Sequence, residues 1–169
     1  MNSTVKVAET ANMSEGAVGR TTKVVIVGGG PVGLAMALLL GRFEIEHILV
    51  ERAAGTTDHP KARGVDIRTM ELFRQWGVEA KIAARGLPPG ADVFAVVESI
   101  SGIEYGRTVA ELNFGQSPSW RCMVAQDAVE EEILAVAKLN KCGSIRFGTE
   151  FISYAAVQDK GQDGVLIKV

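Results

Sequence analysis

Three spaced glycines raise the first chemical question in this chain. Gly28-x-Gly30-x-x-Gly33 lies within KVVIVGGGPVGLAMALLL, Lys23 to Leu40. Between a strand and a helix, each glycine of this spacing has its own task. Gly28 permits a tight turn. Gly30 lacks the Cβ that would hold a pyrophosphate away from the backbone. Gly33 lets helix and strand pack closely. Pro31 and Val32 stand at the start of the helix, where free N–H groups and the positive dipole end meet phosphates. Glu51 closes the next apolar run, where its carboxylate can accept hydrogen bonds from both ribose hydroxyls of an adenosine. The same charge repels a 2′-phosphate, which disfavours NADP in this pocket. A glycine-rich turn also serves plain chain reversal, and a glutamate also ends ordinary strands. Only the whole unit points to a dinucleotide, and it does not say which one.

The elements around these residues must position them. Val24–Val27 is a continuous apolar run, as expected of a strand buried on both faces of a parallel sheet. Val32 to Phe43 is apolar nearly all round, so the helix it forms needs cover on most sides. HILVE, His47 to Glu51, is the second strand. Together they predict a βαβ unit with a right-handed crossover. The apolar stretch is not read as a secretion signal. A long polar segment precedes it, GRFEIEH rather than a small-residue cleavage site follows, and Gly-Gly-Gly-Pro would break the helix.

Residues 1–22 are small and polar and are expected to form a disordered tail. The sequon Asn2-Ser3-Thr4 carries little meaning without an export signal. Residues 23–169 hold the fold. Arg52 to Val65 reads as a long loop, RTMELFRQW and VEAKIAAR as helices, and LPPG as a stop. DVFAVVES and EYGRTVAEL form an antiparallel pair around Ser101-Gly102, and FGQSPS is loop. A helix over Asp127–Leu139 has acidic residues in its first turn, Lys138 in its last and Gly143 as its stop. SIRF, FISYAAV and GVLIKV are strands, the last two flanking the turn DKGQDG. The fold class is α/β: a Rossmann-like βαβ unit with an added antiparallel strand region.

A formal net charge of -2 gives no attraction to nucleic acid or to an anionic membrane surface. No run is apolar and unbroken enough to span a bilayer. Cys122 and Cys142 match no metal or redox spacing, and two reduced thiols fit a cytoplasmic chain.

The segment VERAAGTTDHPKARGVDIRTMELFRQWGV resembles the flavin-dependent aromatic hydroxylases, the single-component FAD monooxygenases related to p-hydroxybenzoate hydroxylase. Those that act on phenolic or polyketide substrates are most similar. GGGPVGL resembles their FAD-type glycine turn. Gln126, with Glu130 and Leu134, resembles their Q-x-x-x-E-x-x-L pattern. The order matches from about Lys23 to the last residue. The resemblance implies that Glu51 binds the adenosine ribose and that Arg52 lines the adenine side. It places Lys61 and Ala62 at the flavin pyrophosphate, in a mobile loop that also faces the nicotinamide donor, with Arg63 as a neighbouring candidate. Lys61 stands where the family usually has arginine, keeping the charge but losing the bidentate fork. Gln126 is implied to hydrogen-bond the phosphate–ribose region of FAD. The bland readings stay open: Arg52 and Lys61 as surface charges, Gln126 as a helix entry residue.

The implied reaction consumes NADPH or NADH and O₂. It hydroxylates a small aromatic substrate through a flavin C4a-hydroperoxide, the cofactor supplying the hard chemistry. No catalytic side chain and no metal ligand is therefore assigned, and the oligomeric state is left open. Two family motifs are not found here: an Asp-Gly that in relatives comes soon after the point where this sequence stops, and a later Gly-Asp. QDG at Gln162–Gly164 is read as a hairpin turn and not equated with the former, and the sequence stops inside the apolar strand VLIKV. The expectation is an incomplete domain, the N-terminal portion of a longer enzyme. The rivals are an FAD-dependent epoxidase or halogenase on the same scaffold, an NAD-dependent dehydrogenase, and an FAD-binding piece without catalysis. The segment after VER disfavours the first. The antiparallel strands, where further βα units would stand, disfavour the second.

Overall fold

The computed structural model describes residues 4–8, 20–59, 61–88, 91, 93–109, 115–159 and 162–169. Outside them fall most of the expected tail, parts of LPPG, DVFAVVES, EYGRTVAEL and FGQSPS, and the turn residues Lys160 and Gly161. In chain order the elements are β1 (Thr4–Ala8), β2 (Arg20–Thr22), β3 (Val24–Val27), α1 (Pro31–Arg42), β4 (His47–Val50) and β5 (Arg63–Val65). There follow α2 (Ile67–Trp76), α3 (Glu79–Ala84), β6 (Val93–Val97), β7 (Glu104–Val109), β8 (Cys122–Ala125), α4 (Gln126–Ala137), β9 (Gly143–Arg146), β10 (Ser153–Asp159) and β11 (Gln162–Lys168). The chain divides into Met1–Thr57 with Ile133–Val169, and Asp58–Glu132, so the boundary falls inside α4.

In the first unit β3, β4 and β9 form a parallel sheet in the order β3-β4-β9, and α1 connects β3 to β4. The expected βαβ unit is therefore present. Burial on both faces belongs to the central strand β4, whose four residues are all buried, and not to β3. Among the described residues β3 has a strand neighbour on one flank only, and Val27 is exposed. α1 buries Leu34, Ala37, Leu38 and Gly41 but leaves Val32, Met36 and Phe43 exposed, so the expected cover on most sides is not met among the described residues.

A second sheet has the order β10-β11-β1-β2. β10 and β11 make the expected hairpin, with pairing continuing to Asp159 and Gln162, so its turn is tighter than DKGQDG suggested. β1 runs parallel to β11 and β2 antiparallel to β1. The expectation of a disordered tail thus fails for Thr4–Ala8 and Arg20–Thr22. The reason is tertiary: Val7 joins Ile48, Val50, Ile167 and Val169 in one apolar cluster, with Val5 packed against it. The alternation Thr4-Val5-Lys6-Val7 puts both valines on one face, and that short face gains a ladder partner and a core together.

The second unit holds α2, α3 and two antiparallel pairs, β5 with β8 and β6 with β7. Asp66 caps α2, its Oδ1 accepting the Thr69 N–H at 2.7 Å, and Gly77 closes the helix in the left-handed conformation at φ 77°. Met70, Phe73 and Trp76 form its buried face, the last two rings 5.6 Å apart. The long loop over 52–65 is interrupted by β5, and β8 arises where no strand was expected. α4 starts one residue earlier and stops sooner than expected. Lys138 lies beyond its last turn, and Gly143 opens β9 instead of stopping the helix. Glycine is needed there because a Cβ would run into the His47 imidazole.

Candidate functional site

The first cluster forms where β3 hands over to α1. Gly28 takes φ 106°, a conformation that side-chain-bearing residues rarely adopt, and its N–H donates to the Val50 carbonyl at 2.9 Å. The turn is thereby pinned to the end of β4. A Cβ on Gly33 would collide with the Gly28 carbonyl oxygen, so close packing of helix on turn requires glycine here. Gly30 is the N-cap residue, and a Cβ on it would meet nothing within 4 Å. The space in front of it is open, as a ligand cradle requires. Pro31 stands at the head of α1, no side chain caps the helix, and its first turn holds no acidic residue. Its N–H groups and positive dipole end are left to an anion. Val32 is exposed beside them.

Glu51 follows β4 directly. Its Oε2 accepts the Gly29 N–H at 2.7 Å and its Oε1 accepts the Ala53 N–H at 2.8 Å. These bonds, that to Ala53 foremost, and the charge of Arg52 hold the carboxyl below the ordinary glutamate range. Each oxygen keeps a lone pair for a hydroxyl donor. Gly29 had no assigned role, yet a Cβ on it would lie 2.9 Å from Glu51 Cβ and 3.3 Å from Phe147 Cε1. The signal available was the third consecutive glycine, one more than the motif needs. The segment after β9 was also missed. Glu51 N–H donates to the Arg146 carbonyl at 2.9 Å, Gly148 N–H to Ala53 at 2.8 Å and Thr149 N–H to Glu51 at 2.9 Å. Arg52 itself is exposed.

A second cluster lies within the other unit. Lys61, Ala62 and Arg63 are exposed, and the Gln126 N–H donates to the Ala62 carbonyl at 2.9 Å. Arg63 pairs with Ala125 in the β5–β8 ladder. The family-implied residues Lys61, Ala62, Arg63 and Gln126 are thus neighbours, brought together by a strand pair invisible in the sequence. The Gln126 side chain donates through Nε2 to Glu130 Oε1 at 2.7 Å, and Glu130 is only 2% exposed.

The remaining candidates sort simply. His47 is buried, with Nδ1 2.8 Å from the Ile45 carbonyl, and His59 is exposed. Trp120 is exposed and Arg121 half-buried. Cys122 is buried, Cys142 Sγ lies 3.7 Å from the Gly41 carbonyl oxygen, and neither is in a disulfide. Among the described residues no group of His, Cys, Asp or Glu is arranged to hold a metal ion, and no helix is long and apolar enough to cross a membrane.

Comparison with known proteins bears on the glycine turn directly. The chain is 39% identical over 144 residues to a putative polyketide hydroxylase of Streptomyces coelicolor, a match covering 79% of this chain and 22% of that protein. The crystal structure of the flavin-dependent monooxygenase PieE, in complex with FAD and substrate, superposes with a TM-score of 0.71 at 30% identity, covering 87% of this chain and 29% of PieE. A ternary complex of aklavinone-11 hydroxylase with FAD and aklavinone gives 0.67 at 30% identity, over 87% of this chain and 31% of that one. The chain spans between a fifth and a third of the length of these relatives. Residues 21–166 match the model of the FAD binding domain, and the chain belongs to that family.

Proposed function

We propose that these residues form the adenosine-diphosphate end of an FAD site in an NAD(P)H-consuming monooxygenase that hydroxylates a phenolic or polyketide-like aromatic substrate with O₂. The observation that carries this reading is the turn itself. Open space at Gly30, an uncapped helix start and an ionised Glu51 tied to Gly29 stand in one place. The N–H groups of Gly30, Val32 and Gly33 suit the phosphates, and Glu51 suits the ribose hydroxyls. Arg52 suits the adenine side. For Lys61, Arg63 and Gln126 in the other unit, the family resemblance alone supports a part in cofactor binding. When bound, FAD supplies the redox and oxygen chemistry. The protein binds it, orients it and shields it from water.

The polyketide and aklavinone hydroxylases among the relatives support the substrate class, and the same relatives support O₂ as co-substrate. A second reading, FAD binding without turnover by these residues alone, is favoured by the share of the relatives' length that they span. Two measurements separate the readings. Equilibrium dialysis against FAD tests the site, and Gly30→Val should abolish retention of the yellow colour by filling the open space. Mass spectrometry of a phenolic substrate after reaction under ¹⁸O₂ with NADPH tests turnover. Binding without label incorporation selects the second reading, and a normally yellow Gly30→Val protein overturns the site.

A further inference from the structure

At the end of the parallel sheet away from the glycine turn, a cavity of about 190 Å³ opens where β4 and β9 begin. Thr21, Glu46, His47, Lys141, Gly143 and Ser144 are among the residues that line it, all within the first unit. It is smaller than the roughly 300–1,000 Å³ of sites for drug-sized ligands, so only a compact molecule fits. His47 supplies a buried group. It is 2% exposed, and its Nδ1 lies 2.8 Å from the Ile45 carbonyl oxygen. A carbonyl oxygen only accepts, so Nδ1 carries a proton and the neutral ring presents a lone pair at Nε2. Nε2 has no partner among the described residues. It lies over Gly143, where a Cβ would run into it, so the missing side chain leaves the nitrogen open to the cavity. A buried acceptor of this kind costs free energy until a donor reaches it.

Two opposite charges complete the lining. Glu46 directly precedes His47, Lys141 stands two residues before Gly143, and both are exposed. They line one cavity, yet they form no ion pair with each other or with any described residue. A ligand charge of a single sign would be attracted by one and repelled by the other. A ligand carrying both signs is attracted at both ends. Its ammonium suits Glu46 and the Nε2 lone pair, and its carboxylate suits Lys141, with the Thr21 and Ser144 hydroxyls able to donate. We propose that this cavity binds a small free α-amino acid as the zwitterion, ammonium toward Glu46 and His47, carboxylate toward Lys141. The glycine turn stands at the opposite end of the same strands, so the proposal does not rest on the FAD reading.

The chain has two imidazoles, and they give the readout. His59 is exposed, belongs to the other unit and serves as the internal reference. The whole chain, at fixed pH and ionic strength, is titrated with serine, ethanolamine and lactate while the imidazole ring protons are followed by NMR, assigned with His59→Gln. Serine should shift the His47 signals along a saturable curve and leave those of His59 in place. Ethanolamine lacks the carboxylate and lactate lacks the ammonium. Each should bind about tenfold more weakly or worse, the worth of one charge-assisted hydrogen bond. Lys141→Met and Glu46→Gln should each weaken serine by a similar factor, and as exposed positions they do not threaten the fold. A His47 shift that never saturates overturns the proposal, as does a parallel drift of both histidines. Ethanolamine or lactate binding as tightly as serine overturns it too. These wild-type titrations decide the matter even where a variant folds poorly.

Discussion

Where the turn meets the end of β4, a methyl group on Gly29 would press on Glu51, and the backbone there has no positive φ to blame for the demand. Gly29→Ala is therefore a steric test: it should displace the Glu51 carboxylate, weaken FAD by about tenfold or more and lower the melting temperature, since the Gly29 N–H loses its acceptor. Glu51 also gives the protein an acid-sensitive contact. Its carboxyl is held below the ordinary glutamate range by the Ala53 and Gly29 N–H groups, so the folded state favours the charged form. That stability is present at neutral pH and is lost as the pH falls through the depressed folded value. Melting temperatures of wild type and Glu51→Gln should differ most at neutral pH and converge in acid. A constant gap would show that the charge contributes nothing. Gly28, Gly33 and Glu51 were legible in sequence because their tasks are set by the local chain path. Gly29 was not, because it answers to the Glu51 side chain that only the folded turn brings near.

Helix α2 was legible for a plain reason: Met70, Phe73 and Trp76 recur at helical spacing, and Asp66 and Gly77 bracket them with a cap and a left-handed stop. Asp66→Ala should destabilise the protein by about 1 kcal/mol, read from urea unfolding, through loss of the bond to the Thr69 N–H. β5 and β8 were illegible for an equally plain reason. Arg-Gly-Val has little strand propensity, and Cys-Met-Val-Ala shows no alternation. Each is a strand only because the other pairs with it. That pair carries Arg63 and sets Ala62 against Gln126, so the second cluster could be named from family resemblance but not built from residues alone.

Across the whole molecule, the division inside α4 has no proline, glycine or polar linker to announce it, which is why residues 23–169 read as continuous. The core of the first unit is the other feature that no local pattern reveals, because Val5 and Val7 meet Ile48, Val50, Ile167 and Val169 from opposite ends of the sequence. Val7→Ala should cost about 2 kcal/mol in urea unfolding, from lost apolar burial and the cavity left behind. A change within about 0.5 kcal/mol, the range of ordinary surface substitutions, would mean that β1 does not hold the sheet. The pairing of β1 with β11 also carries a kinetic meaning. On the ribosome β1 and its antiparallel neighbour β2 are synthesised long before β11, so Val5 and Val7 wait for that second partner while the residues between are translated. Closure of β1 on β11 joins residues far apart in sequence, and such non-local steps are slow. The interval before it is when the nascent chain is most exposed to aggregation.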